Sequence, residues 1–154
     1  MVTVPEARPP HRDLRLLALV AAGGAVGSCL RYAVGLALPH PTDGWPWPTF
    51  TVNVVGAFLL GWLLEALARR GPESRRLRAV RLFAGTGVLG GFTTYSALGL
   101  ELTRLAQDGV WGTAVAYAAA TLVLGATAAL LGVLLGSRTP PSTFGRLLRA
   151  EDPS

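Results

Sequence analysis

Thr93, Thr94, Tyr95 and Ser96 follow the glycine pair Gly90 and Gly91 in the stretch GVLGGFTTYS, residues 87–96, inside a run that otherwise reads as membrane-spanning. Irregular backbone at membrane depth survives only where protein or a water-filled path satisfies its polar groups. Free carbonyls and hydroxyls stand here in place of leucine, and such residue types suit holding or passing an ion. Arg31 lies about 12 Å of helical rise before Pro39, and an arginine at membrane depth costs about 2.5–3.5 kcal/mol on insertion scales. It either snorkels to the interface or lines a water-filled vestibule that attracts an anion, and the second reading is preferred. Asn53, in TVNVVGAFLLG, carries an amide with two N–H donors that hydrocarbon cannot satisfy; it either joins helices or faces an ion. Tyr117 and Thr121, four residues apart, place two hydroxyls on one helix face, although a threonine hydroxyl often turns back on its own helix.

Acidic residues avoid the middle of the apolar runs. Glu65 and Glu101 fall near expected helix ends, and Asp13, Asp43 and Asp108 lie outside. Proton-coupled carriers use a carboxylate in the membrane and cation filters often use acidic rings. A cationic, donor-rich lining therefore points to an anion and disfavours a four-helix drug/proton antiporter. Neither a His/Cys/Glu constellation nor a Ser-His-Asp set nor a phosphate loop is present, so catalysis is not expected. The single cysteine, Cys29, reads as a small packed residue.

These side chains need membrane helices to position them. Of 154 residues, 51% are hydrophobic and 15% charged, with mean hydropathy +0.43, which places the chain outside the soluble globular class. Crossing the hydrocarbon takes about 20 apolar residues, and four runs qualify: 14–38, 49–68, 79–102 and 110–136. The expected fold is an all-α membrane protein of four transmembrane helices, the third broken near its middle between Gly90 and Thr94. One domain, 14–136, lies between proline-containing tails at 1–13 and 137–154. Glycine recurs in the spans, which lets helix backbones approach closely. Four helices make a thin bundle, so an oligomer is expected.

All 14 basic residues are arginine, and the pI is about 10.6. Twelve lie in the two tails, at Arg15 where the first run begins, and in the connection holding Arg69, Arg70, Arg75, Arg76, Arg78 and Arg81, against Arg104 alone on the opposite side. The positive-inside rule then puts both termini and that connection in the cytoplasm of a multi-pass protein of the cell membrane, and no nucleic acid is expected. The stretch PHPTDGWPWP, residues 39–48, reads as a stiff outer connection with Trp45 and Trp47 at headgroup level.

Three ordered stretches, GGAVGSCLRY, NVVGAFLLG and GGFTTYSALGLE, resemble the signature segments of the small fluoride channels called Fluc or CrcB, and the likeness covers all four spans. The resemblance implies a passive fluoride exporter in the lipid bilayer, built as an antiparallel dimer with a structural Na+ at its interface. It assigns the Na+ to backbone carbonyls of Gly90 and Thr93, the pore asparagine to Asn53, the vestibule arginine to Arg31, and the polar track to Tyr117 and Thr121; the Ser96 hydroxyl is counted with the fluoride pore. Family members usually carry two phenylalanines three residues apart in the third span. This chain has Tyr95 and Leu98 there: the tyrosine keeps a positive ring edge, whereas leucine has none. A second departure is the arginine bias, which commits the chain to one orientation and favours a paralogous partner of opposite topology over a homodimer. The alternative role is that of a structural subunit whose partner lines the main pore.

Overall fold

A computed structural model describes residues 13–39 and 44–139. The expected tails fall outside the described residues except for Asp13 and 137–139, as do His40 and Asp43. The described chain is helix and short connection, with no strand among the described residues. Helices α1 (Leu14–Ala37), α2 (Trp47–Ala68) and α6 (Trp111–Arg138) are each long and apolar enough to cross a membrane. Between 11% and 22% of their most apolar windows is buried within the subunit, so most of that surface must face lipid or another chain. Their ends follow from local chemistry. The Asp13 carboxylate accepts the Arg15 N–H at 3.0 Å and starts α1; Pro48 sits in the first turn of α2, where its missing N–H does no harm.

The third apolar run is a series of pieces: α3 (Arg75–Val80), a π-helical segment π1 (Arg81–Leu89), α4 (Gly90–Phe92) and α5 (Tyr95–Gln107). Ser74 caps α3 through the Leu77 N–H. Nine π-helical residues are unusual, because such wide turns are rare and gather at functional sites. Between α4 and α5 the chain is extended at Thr93 (φ −80°, ψ 159°) and Thr94 (φ −152°, ψ 124°). Gly71 and Gly109, at φ +86° and +77°, make the left-handed turns that join α2 to α3 and α5 to α6.

Glycine brings the helices together backbone to backbone. A methyl group at Gly23 would strike the Phe83 carbonyl, and one at Gly27 the Val88 carbonyl, so α1 and π1 are in direct main-chain contact. Helices α2 and α6 meet in the same way: Gly132 faces the Phe58 carbonyl and Gly136 the Trp62 carbonyl. Within each pair the residue numbers rise together, so the partners run parallel. The start of α1, the end of α2, the start of α3 and the end of α6 therefore lie at one end of the bundle. Near the other end, Leu98, Leu105, Ala114 and Tyr117 form a small core onto which Trp45, Phe50, Leu102 and Val110 pack.

Candidate functional site

Asn53 grips the break in the third run. Its side-chain oxygen accepts the Thr94 N–H at 2.8 Å and its amide nitrogen donates to the Thr94 carbonyl at 3.0 Å. In an unbroken helix the Thr94 N–H would close on the carbonyl of Gly90. A second diversion occurs one turn later: the Ala97 N–H, which would reach the Thr93 carbonyl, is taken by the Thr94 hydroxyl at 3.2 Å. Gly90 and Thr93 thus both lose the donor that helical geometry would supply, and two carbonyl oxygens become available to another partner. The Thr93 hydroxyl turns back to the Leu89 carbonyl at 2.9 Å. A groove of about 490 Å³ opens beside the break, lined by Asn53, Gly56, Gly85, Thr86, Gly90 and Thr93 among others. Gly56 is required there, because a methyl group on it would collide with Thr93 Cγ2, whereas one on Gly90 would meet nothing within 4 Å.

Donors remain beside this groove. Asn53 uses one amide N–H and keeps a second. The Thr94 and Ser96 hydroxyls lie 3.2 Å apart; whichever donates, the other retains its proton. Tyr95 and Leu98, three residues apart, part company in the subunit. Tyr95 is 85% exposed beside the break, while Leu98 is 7% exposed within the core against Tyr117. Arg31 is half-buried on α1, and no ion pair involves it among the described residues.

Tyr117 is completely buried and donates its hydroxyl to Glu101 Oε2 at 2.7 Å; Thr49 donates to Glu101 Oε1 at 2.7 Å. Thr121 directs its hydroxyl to the Tyr117 carbonyl at 2.8 Å, so its proton stays on its own helix. The expectation that Glu101 stands at a helix end, apart from the polar lining, is overturned: α5 continues to Gln107, and Glu101 faces inward with both oxygens occupied. The signal lay in the spacing. Leu98, Glu101 and Leu105 recur at three and four residues, so the apolar stripe of α5 carries Glu101 on its buried face. Thr49 gave no such sign, since only the packing of α2 against α5 brings it there. The Trp45 ring packs edge-on against Tyr117 with centroids 5.4 Å apart.

Residues 18–133 match the family model described as CrcB-like protein, Camphor Resistance (CrcB). The chain belongs to the CrcB family. Among CrcB relatives, the Fluoride-specific ion channel FluC 2 of Leifsonia xyli is 50% identical over 129 residues, 84% of this chain and 88% of that protein. The Fluoride-specific ion channel FluC of Caulobacter vibrioides is 49% identical over 123 residues, 79% and 95% of the two chains. A third, FluC 1 of Mycobacterium tuberculosis, is 45% identical over 130 residues, 84% and 96%. All three ordered stretches that carried the resemblance lie inside the matched region. With three membrane-length apolar helices, this CrcB chain is a multi-pass membrane protein.

Proposed function

We propose that the chain is a subunit of a fluoride-selective ion channel that lets cytoplasmic fluoride leave passively, down its gradient. The observation that carries this reading is the break at Thr93 and Thr94, held open by Asn53 inside an apolar helical bundle. Relatives named as fluoride-specific channels supply the ion. Fluoride holds its water strongly, so a path for it must offer hydrogen-bond donors in exchange. The spare N–H of Asn53 and the free proton of the Thr94–Ser96 pair are such donors, with Arg31 attracting the anion from a vestibule. Tyr95 supplies a positive ring edge at the break; Leu98, turned into the core, supplies none. Tyr117 and Thr49 present their protons to Glu101, and Thr121 completes the polar line along α6.

In this reading four spans cross the bilayer, the third being the interrupted series from α3 to α5. Two subunits pack antiparallel across the groove at the break, and the released carbonyls of Gly90 and Thr93 fit a structural Na+, a hard cation that takes backbone oxygens. The exposed Tyr95 then enters the partner's surface. The arginine bias supports a partner inserted the opposite way, and relatives numbered FluC 1 and FluC 2 are consistent with paralogous pairs. A second reading keeps the assembly but moves the main pore to the partner; the burial of Leu98 favours it. Fluoride release from liposomes, followed with a fluoride electrode, tests both readings. Release is expected with a co-produced paralogue, faster than chloride and lost in Asn53→Asp. Normal release after Asn53→Asp assigns the pore to the partner, and no fluoride release under either condition overturns the channel reading.

A further inference from the structure

At the arginine-rich end of the bundle, a cleft of about 280 Å³ opens between the end of α2 and the start of α3 and π1. Leu64, Leu67, Ala68 and Leu77 make its apolar wall, and Glu73 and Arg81 stand at its polar side. Arg81 Nη2 lies 2.7 Å from Glu73 Oε1, with both side chains nearly half exposed. Arg78, three residues before Arg81 and so on a neighbouring part of the same helical surface, has no carboxylate partner among the described residues, and the same holds for Arg75. An apolar wall with the Arg81 guanidinium at its polar side and Arg78 three residues away, at the end of the membrane-length helix α2, matches the two halves of one ligand.

We propose that this cleft binds an anionic phospholipid, with the upper acyl chain and glycerol against the leucines and the phosphate on Arg81 and Arg78. Basic clusters just outside a membrane helix attract anionic headgroups, and guanidinium forks fit phosphate oxygens in two-point contact. Glu73 is the internal competitor: its carboxylate occupies Arg81 until a phosphate replaces it. This assignment is independent of what the channel conducts.

Native mass spectrometry on the full chain in detergent tests the proposal, with phosphatidylglycerol, phosphatidylcholine and inorganic phosphate as probes. Phosphatidylglycerol should be retained about fivefold over phosphatidylcholine. Arg81→Gln combined with Arg78→Gln should abolish that preference, Arg81→Lys should keep part of it, and Glu73→Gln should raise it. Comparable retention of the two lipids, or a loss of preference in Glu73→Gln, overturns the proposal. So does displacement of the lipid by inorganic phosphate in about hundredfold excess, which would assign the arginines to a free anion. Monodisperse elution of each variant shows that the comparison is made on folded protein.

Discussion

Asn53 shows how one side chain can hold a helix open at a break. Two hydrogen bonds to Thr94 replace the helical ladder at the point where it stops. Asn53→Ala leaves a backbone N–H and a carbonyl inside the bundle without partners, so thermal unfolding in detergent should report a loss of about 1–3 kcal/mol. Asn53→Asp keeps the acceptor for the Thr94 N–H and should lose less stability, while its negative charge depresses fluoride flux. A fold as damaged as that of the alanine variant would mean that the donated bond to the Thr94 carbonyl dominates. The Glu101 cluster makes a second test. Glu101→Ala strands the hydroxyls of Tyr117 and Thr49 at once, whereas Tyr117→Phe leaves one carboxylate oxygen without its donor. The alanine variant should therefore be the less stable by about 1 kcal/mol or more in the same unfolding measurement.

Among the elements, glycine decides which helices touch. Gly132 and Gly125 lie on the same helix seven residues apart, yet their surroundings are opposite. A methyl group on Gly132 would meet the Phe58 carbonyl, and one on Gly125 would meet nothing within 4 Å. Backbone cannot yield as a side chain can, so Gly132→Leu should separate α2 from α6 and cost about 3 kcal/mol or more. Gly125→Ala should instead be neutral or stabilising by up to about 1 kcal/mol through helix propensity. Unfolding midpoints of the two variants check this; equal midpoints would show that α2 and α6 are not packed as described.

The whole molecule is polar by design of its ends. Eight arginines of the described chain, from Arg15 to Arg138, collect at the end where α1 and α3 begin and α2 and α6 finish, while Arg104 stands near Asp108 at the other. One orientation in the membrane is expected from this bias, with C-terminal reporter fusions active only in the cytoplasm. Neutralising the six arginines between 69 and 81 should give mixed topology; comparable signals on both sides from the native chain would instead favour a dual-topology homodimer. Gly90 reports on assembly from within the span. Its outward face is open, so Gly90→Trp should leave the subunit folded and abolish pairing, as read by cross-linking or by native mass in detergent. A variant that still pairs would remove the carbonyls at the break from the interface.

Much of this architecture was legible in the residues alone. Apolar length marked α1, α2 and α6 because about 30 Å of hydrocarbon demands it, and the family stretches carried the identity of the chain. The run of Gly90 and Gly91 followed by Thr93 and Thr94 also stood out, because such residues conflict with a lipid-facing helix. Other features were decided by tertiary structure. Whether Asn53 joined helices or faced an ion depended on what lay opposite it, and that is Thr94, 41 residues away. Thr49 reaches Glu101 across 52 residues; hydrogen bonds between side chains so far apart leave no local period to read. Tyr95 and Leu98 looked like one pair in sequence, yet the packing of α5 on α6 buries one and exposes the other. Local chemistry determined which groups this chain carries, and only the meeting of its helices decided which of them were spent on each other and which kept hydrogen-bonding capacity to spare.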